Sequence, residues 1–273
     1  MKTKLKDTFK SGTPDLKYYA FDWDDNIVHM PTKIILLNDK DEEVEMSTED
    51  FATHRDKIGK KPFDYLGHTI VDYSDDPFRF FGVQGDKQFL KDTLKAKLGP
   101  AWNDFKESIN NGSIFAIITA RGHNPNTIKE AIFNYINTNF GGISKKELIK
   151  NLKKYRDFVD EEEMTDEEMI RSYLELNRYN PVSFGNEEGA SSPEEAKVRA
   201  MADFVNYVKS MAALLHKTAF LKKDIANKFI PGKPTIGFSD DDERNVEKIK
   251  DYFKSIKEPV KTYSTKGGIK KEY

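Results

Sequence analysis

Short apolar segments of this chain repeatedly end in carboxylate or hydroxyl side chains, and this pattern constrains the fold more than any other feature. Helical patterns lie between the segments, as in a parallel sheet whose strands are joined by helical crossovers. In such sheets, ligands bind just beyond the carboxyl ends of the strands. The segments and their endings are residues 17–21 before Asp22 and Asp24, residues 113–118 before Thr119, and residues 235–238 before Asp240 and Asp241.

The alternation of strand and helix patterns predicts an α/β fold, with a Rossmann-like parallel sheet flanked by helices over residues 17–263. Residues 113–118 are wholly apolar, which is typical of a strand buried on both faces. Two more strands are expected, one at residues 181–184 and a last one at residues 260–263. Loose polar tails are expected at both ends, in residues 1–16 and 264–273.

Two insertions interrupt this pattern. Residues 30–86 are expected to form a small cap-like insertion, made of a β-hairpin, a helix capped by Thr48, and an irregular, aromatic-rich loop segment from residue 58 onward. Residues 144–178 are strongly charged and are expected to form a helical insertion with a solvated face. The sheet with its two insertions is therefore the predicted architecture.

Composition excludes several classes of protein. The chain has 273 residues and no cysteine, which excludes disulfide frameworks, thiolate catalysis and zinc–thiolate sites. A formal net charge of -2 gives no overall attraction to nucleic acid or to a membrane surface. No apolar run approaches the length of a membrane span, and the charged N-terminus lacks the apolar core of a secretory signal. We expect a cytoplasmic protein with no membrane partner and no obligate nucleic-acid partner.

Asp22 and Asp24 follow the first apolar segment two residues apart, which places both on one face of a continuing strand. Carboxylates held so close repel unless a cation or a shared proton compensates, and Mg²⁺ is a natural partner for oxygen ligands. The competing interpretation is a solvated turn, because Asp and Asn favour turns for local reasons. Trp23, between the two acids, is expected to face packing, and His29 either faces the site or has an ordinary packing role.

These motifs, in this order, resemble the haloacid dehalogenase superfamily of aspartate-nucleophile phosphotransferases. The first motif is matched by YYAFDWDDN, the second by SIFAIITARG, the third by SPEEAK and the fourth by TIGFSDDDERN. The resemblance covers residues 17–263. It departs from the family pattern at Asn26, where Thr or Val is usual, and at Asp25, where Gly is common. Lys197 is preferred as the lysine of the third motif, with Lys217 and Lys233 as alternatives.

The resemblance implies a Mg²⁺ site and a phosphoryl-transfer mechanism. Mg²⁺ would be held by Asp22, Asp240 and the backbone carbonyl of Asp24, with Asp241 supporting the metal through bound water. Asp22 would attack phosphorus and form an aspartyl-phosphate, while Asp24 would protonate the leaving oxygen and then activate water. The groups expected to hold the substrate phosphate are Thr119 and Lys197, with Arg121 reaching the substrate or forming a salt bridge at the surface or the sheet edge.

The function implied is a Mg²⁺-dependent phosphomonoester hydrolase acting through an aspartyl-phosphate. An open site under a small cap favours a large substrate, such as a nucleic-acid end or a phosphoprotein. A small-molecule phosphatase with a lid built partly from residues 144–178 is the alternative among enzymes. The alternative from another class is a binding or structural protein that keeps the fold without the activity. The sequence leaves the substrate and the oligomeric state open.

Overall fold

The computed structural model describes residues 17–156, 164–183, 190, 192–221 and 235–273. Several predictions lie outside the described residues: the N-terminal tail, the last residue of the strand expected at 181–184, and any role for Lys233. The side chain of Lys217 is likewise not described. Within the described residues, no helix combines the length and the apolar character needed to cross a membrane.

A mostly parallel sheet of six strands forms the centre of the molecule, in the spatial order β12-β11-β10-β1-β8-β9. All neighbouring strands run parallel except the edge pair β11 and β12. The prediction of a mixed α/β fold with a parallel sheet is therefore confirmed. The six strands are β1 Lys17–Phe21, β8 Phe115–Thr119, β9 Arg178–Pro181, β10 Thr235–Asp240, β11 Val260–Ser264 and β12 Lys271–Glu272.

Helices cover both faces of this sheet, because side chains of the central strands alternate between two apolar cores. Phe21 and Ile117 join a core with α2 to α6, whereas Ala20 and Ile118 join a second core with α7 and α8. Those helices are α2 Asp86–Thr93, α3 Trp102–Asn110, α4 Pro125–Thr138, α5 Lys145–Arg156, α6 Asp166–Glu175, α7 Pro193–Leu221 and α8 Glu243–Ser255. Trp23 also lies in the first core, stacked on Tyr135, so its predicted packing role is confirmed.

The cap-like insertion is a four-stranded antiparallel sheet in the order β4-β3-β6-β5, followed in sequence by the core helices. The hairpin predicted first in this segment is confirmed. The irregular segment expected after it is wrong in part, because it contains a second hairpin closed by Leu66 and Gly67, both with positive φ. A leucine at a position that favours Asn or Gly concealed the turn. The cap elements are β3 Ile34–Asn38, β4 Glu43–Met46, α1 Thr48–His54, β5 Phe63–Tyr65 and β6 His68–Tyr73.

Two very short strands, β2 Val28–His29 and β7 Lys97–Leu98, pair antiparallel beside the central sheet. Three local predictions need correction. The N-cap of α1 is Ser47, whose hydroxyl accepts from the Asp50 N–H, and not Thr48. The third strand lies earlier than residues 181–184, at β9, and the tail is not loose at its end because β12 pairs with β11.

The charged helical block of residues 144–178 contributes to the first core as well as to the surface. Leu148 on α5 and Ile170 on α6 are fully buried there, and Tyr173 donates a hydrogen bond to the Ser113 carbonyl at 2.8 Å. On its outer side Arg171 and Glu167 form an exposed pair. The block therefore helps to support the central strands from one side.

Candidate functional site

The carboxyl ends of β1, β8 and β10 lie side by side at one edge of the sheet. Phe21, the last residue of β1, pairs with Ile117 on one side and with Ser239 on the other. The Asp22 N–H then donates to the Ser239 carbonyl at 2.9 Å. The convergence of strand endings expected from the sequence is confirmed, because parallel strands in this register bring Asp22, Thr119 and Asp240 to the same edge.

Lys197 joins two of these strand ends. Its ammonium group lies 2.8 Å from Oδ1 of Asp22 and 2.7 Å from Oδ2 of Asp240, and all three side chains are almost completely buried. Lys197 reaches them from the first turns of α7, which packs on the sheet through the second core. Burial alone would lower the pKa of Lys197, but the charges of Asp22 and Asp240 raise it, so the side chain stays charged at every physiological pH.

Three carboxylates group around this lysine. Asp22, Asp240 and the partly buried Asp241 each present an oxygen, and these oxygens lie within 4.8 Å of one another. Burial raises the pKa of Asp22 well above its usual range, and the charges of Asp240 and Asp24 add to the effect while Lys197 opposes it. Burial and the charges of Asp240 and Asp22 likewise raise the pKa of Asp241. One lysine does not neutralise three carboxylates, so the cluster could bind a metal ion.

Asparagine side chains hold the loops of this cluster, and sequence reasoning missed them. Asn26 is fully buried and donates to the carbonyls of Asp22 and Ser239, at 3.0 and 3.1 Å. Its own side-chain oxygen accepts from the Thr265 hydroxyl at 2.9 Å. The residue that departs from the family pattern therefore ties the end of β1 to the end of β10. Asn245, at the start of α8, donates to Oδ2 of Asp240 at 3.0 Å.

Asp24 does not face the lysine but pairs with Arg121. The guanidinium donates from Nε to Oδ2 and from Nη2 to Oδ1 of Asp24, both at 2.7 Å. Of the two expectations for Arg121, the structure has the salt bridge, although the arginine is buried instead of lying at an exposed sheet edge. Thr119 is buried two residues earlier, and its hydroxyl accepts from the Arg121 N–H at 3.3 Å.

A second group of possible metal ligands lies where the cap meets the core. Asp25, His29 and Glu49 present ligand atoms within 4.8 Å of one another. Asp25, in a left-handed conformation with φ of 53°, accepts from the Thr48 hydroxyl of α1 and hydrogen-bonds Nδ1 of His29 at 2.8 Å. His29 therefore faces an acid next to the site, with a partly exposed ring.

His123 is a buried titratable group that sequence reasoning also missed. Its Nδ1 lies 2.9 Å from Oδ1 of Asp86, and its Nε2 lies 3.3 Å from Nη1 of Arg121. A guanidinium only donates, so Nε2 accepts and the single ring proton sits on Nδ1. Burial and the Arg121 charge lower the pKa of His123, against the opposing effect of Asp86.

Comparison with models of known protein families, with curated proteins and with solved structures found no match to this chain.

Removing the lysine tests its structural role. We expect Lys197→Met to lower the free energy of unfolding by about 3–5 kcal/mol, because it leaves two buried carboxylates without their cation. Lys209→Met is the matched control: Lys209 pairs with Glu258 on the surface, and its loss should change stability by less than about 1 kcal/mol. Urea denaturation of both variants measures the difference, and equal losses would contradict the role assigned to Lys197.

The lowered pKa of His123 predicts a pH dependence with a definite sign. Below pH of about 6.5 the unfolded chain binds a proton at this histidine that the folded protein does not, so stability falls as pH decreases. Relative to His123→Gln, the wild-type free energy of unfolding should decline between pH 7.5 and pH 5. The groups facing the ring are Asp86, Arg121 and, farther away, Asp24. A difference independent of pH would show that the histidine titrates normally.

Proposed function

We propose that this chain is a Mg²⁺-dependent phosphomonoester hydrolase of the haloacid dehalogenase superfamily, with Asp22 as its nucleophile. The observation that supports this most is the buried cluster in which Lys197 bridges Asp22 and Asp240 beside Asp241. Its members come from three separate parts of the sequence, each named by one motif of the family pattern. A group of salt bridges that serves stability alone would not need its members to match the motifs of one catalytic family.

The donor set fits Mg²⁺. All three carboxylates offer hard oxygen ligands. The pKa values of Asp22 and Asp241 are raised first by burial and then by the negative charge of neighbouring carboxylates, which a divalent cation would relieve. Asp22 and Asp240 would hold the ion together with the backbone carbonyl of Asp24, and Asp241 would support it through bound water. When bound, Mg²⁺ would offset the charge of the phosphoryl group that approaches the carboxylates.

The side chains divide the reaction into two steps. Asp22 forms a bond from a carboxylate oxygen to phosphorus as the bond to the leaving oxygen breaks, and Asp24 supplies the proton that this oxygen takes. In the second step Asp24 accepts a proton from water, which attacks the phosphorus of the aspartyl-phosphate and releases phosphate and free Asp22. Oδ2 of Asp22 receives no hydrogen bond from any residue that the structure describes, so this oxygen suits the attack.

The substrate phosphate would be held by Thr119 and Lys197. Lys197 already contacts the nucleophile at 2.8 Å, so its charge serves both Asp22 and an incoming phosphoryl oxygen. The cap helix α1 lies beside this site, with Thr48 bonded to Asp25 and Arg55 bonded to Glu194 at 2.6 Å. Compact metabolites, nucleic-acid ends and phosphoproteins differ in size, and therefore in their access to a site beside this helix. Turnover of a panel of phosphate esters distinguishes these substrate classes. A folded protein that turns over none would favour the binding-protein alternative.

Cation binding has a readout that needs no substrate. We expect Mg²⁺ at about a hundred times its dissociation constant to stabilise the wild type by about 2.7 kcal/mol, seen as a rise in melting temperature over an EDTA control. Asp240→Asn should lose the response, because it removes charge from the cluster. Asp92→Asn, at a buried aspartate bonded to Gln88 on α2, should keep it. A response unaffected by Asp240→Asn would place the ion elsewhere.

Two substitutions separate the nucleophile from the acid–base group. Asp22→Asn should abolish turnover and weaken Mg²⁺ binding. Asp24→Asn should slow turnover by about a hundred- to ten-thousand-fold, yet an activated phenyl phosphate, whose leaving group needs no proton, should still phosphorylate the enzyme. Phosphoenzyme should then accumulate because no base activates water. Mass spectrometry of quenched protein measures it as a phosphate adduct on Asp22.

Two results would contradict this mechanism. One is full turnover by Asp22→Asn, and the other is an adduct located on a residue other than Asp22. Wild-type protein incubated without substrate is the control for adventitious modification.

A further inference from the structure

Asp24, the residue expected to handle protons, forms a two-bond salt bridge with Arg121. Both carboxylate oxygens of Asp24 accept a hydrogen bond, each 2.7 Å long, from two different nitrogens of one guanidinium. Arg121 is only 1% exposed, whereas the Asp24 side chain is 16% exposed. The carboxylate of Asp24 therefore lies between the arginine and the solvent.

The guanidinium of Arg121 is fixed from other directions as well. It lies over two aromatic rings, 4.5 Å from the centre of Phe81 and 5.3 Å from that of Phe89. The backbone next to it is held by a 2.7 Å hydrogen bond from the Gly122 N–H to the Phe81 carbonyl. A side chain packed in this way has little freedom to swing toward a substrate.

A partly buried chain of hydrogen bonds supports the arginine from the side away from Asp24. Nη1 donates to Nε2 of His123 at 3.3 Å, Nδ1 of His123 donates to Asp86 at 2.9 Å, and Asp86 also accepts from the Thr127 hydroxyl at 2.8 Å. Each group is oriented by the next. The chain runs from the site into α2 and α4, which belong to the first core.

We propose that Arg121 is a positioning residue for Asp24, supported by His123 and Asp86, and not a contact for the substrate phosphate. The inference rests on the proposed function, since it assigns a task within that reaction. Two N–H donors facing two oxygens fix the rotation of the carboxylate that handles the proton in both steps of the reaction. A lysine offers one point charge and cannot fix that rotation.

The test compares Arg121→Lys with Asp24→Asn on an activated phenyl phosphate, with phosphoenzyme followed by rapid quench and mass spectrometry. We expect Arg121→Lys to slow turnover roughly a hundredfold, the effect of a small misplacement of a reacting group. The ratio kcat/KM should stay within a few-fold, because this substrate phosphorylates Asp22 without needing a proton from Asp24. Phosphoenzyme should accumulate, as in Asp24→Asn. The double variant should be no slower than Asp24→Asn alone, because both changes remove the same function.

Arg171→Lys is the matched control, because Arg171 also lies over an aromatic ring, that of Phe133 at 3.8 Å, but on the surface of α6. It should leave KM, turnover and phosphoenzyme level unchanged. His123→Gln provides a second variant should Arg121→Lys not fold. It should also accumulate phosphoenzyme, but less of it, with kcat/KM unchanged.

Other outcomes overturn the inference. A phosphate contact predicts that Arg121→Lys raises KM, slows formation of the phosphoenzyme without accumulation, and multiplies the defect of Asp24→Asn. A purely structural role predicts a lower melting temperature with normal kinetics. Either result removes the positioning role while leaving the proposed function intact, whereas a folded wild type without turnover or phosphoenzyme would show that the proposed function itself is wrong.

Discussion

The salt bridges of Lys197 are the interaction on which the candidate site depends. Buried carboxylates of neighbouring strands repel each other and lose their hydration, so Asp22 and Asp240 need a cation or a shared proton to lie close together. Lys197 supplies that charge from a helix whose apolar face packs on the same strands. The packing of α7 on the sheet therefore also places the positive charge between the two carboxylates.

Hydrogen bonds from uncharged amide groups also hold the strand ends in place. Asn26 joins two backbone carbonyls of adjacent loops, and the Asp242 N–H and Asn245 fix the two oxygens of Asp240. Amide groups make these connections without adding charge to a cluster that already has an excess of carboxylates. Uncharged groups thus help to orient the strand ends around Asp240, and Lys197 supplies the positive charge among these contacts.

The cap joins the site through polar contacts. Helix α1 has no buried residue, yet Thr48 at its start bonds to Asp25 and Arg55 at its end bonds to Glu194, near Lys197 on α7. Arg244, just after the acids of β10, reaches Asp56 at 3.3 Å. Contacts of this kind are weaker than an apolar interface and depend on ionic strength. The cap helix is therefore tied to the same loops that carry the candidate catalytic groups.

The sequence by itself determined the α/β class, the strands β1, β8 and β10, and the set of polar residues at their ends, because strand periodicity and its interruption by acids are local properties. It did not determine the partner of Asp24, the bridging by Asn26 or the hairpin at Leu66 and Gly67. Asp24 and Arg121 are far apart in the sequence, and so are Asn26 and Thr265. A local sequence pattern cannot predict contacts between such distant residues. The hairpin uses a leucine with positive φ, which pairing of β5 with β6 stabilises against its local preference. Only the packed tertiary structure decides which charged side chains form pairs, because a charge that is buried without a partner is unfavourable.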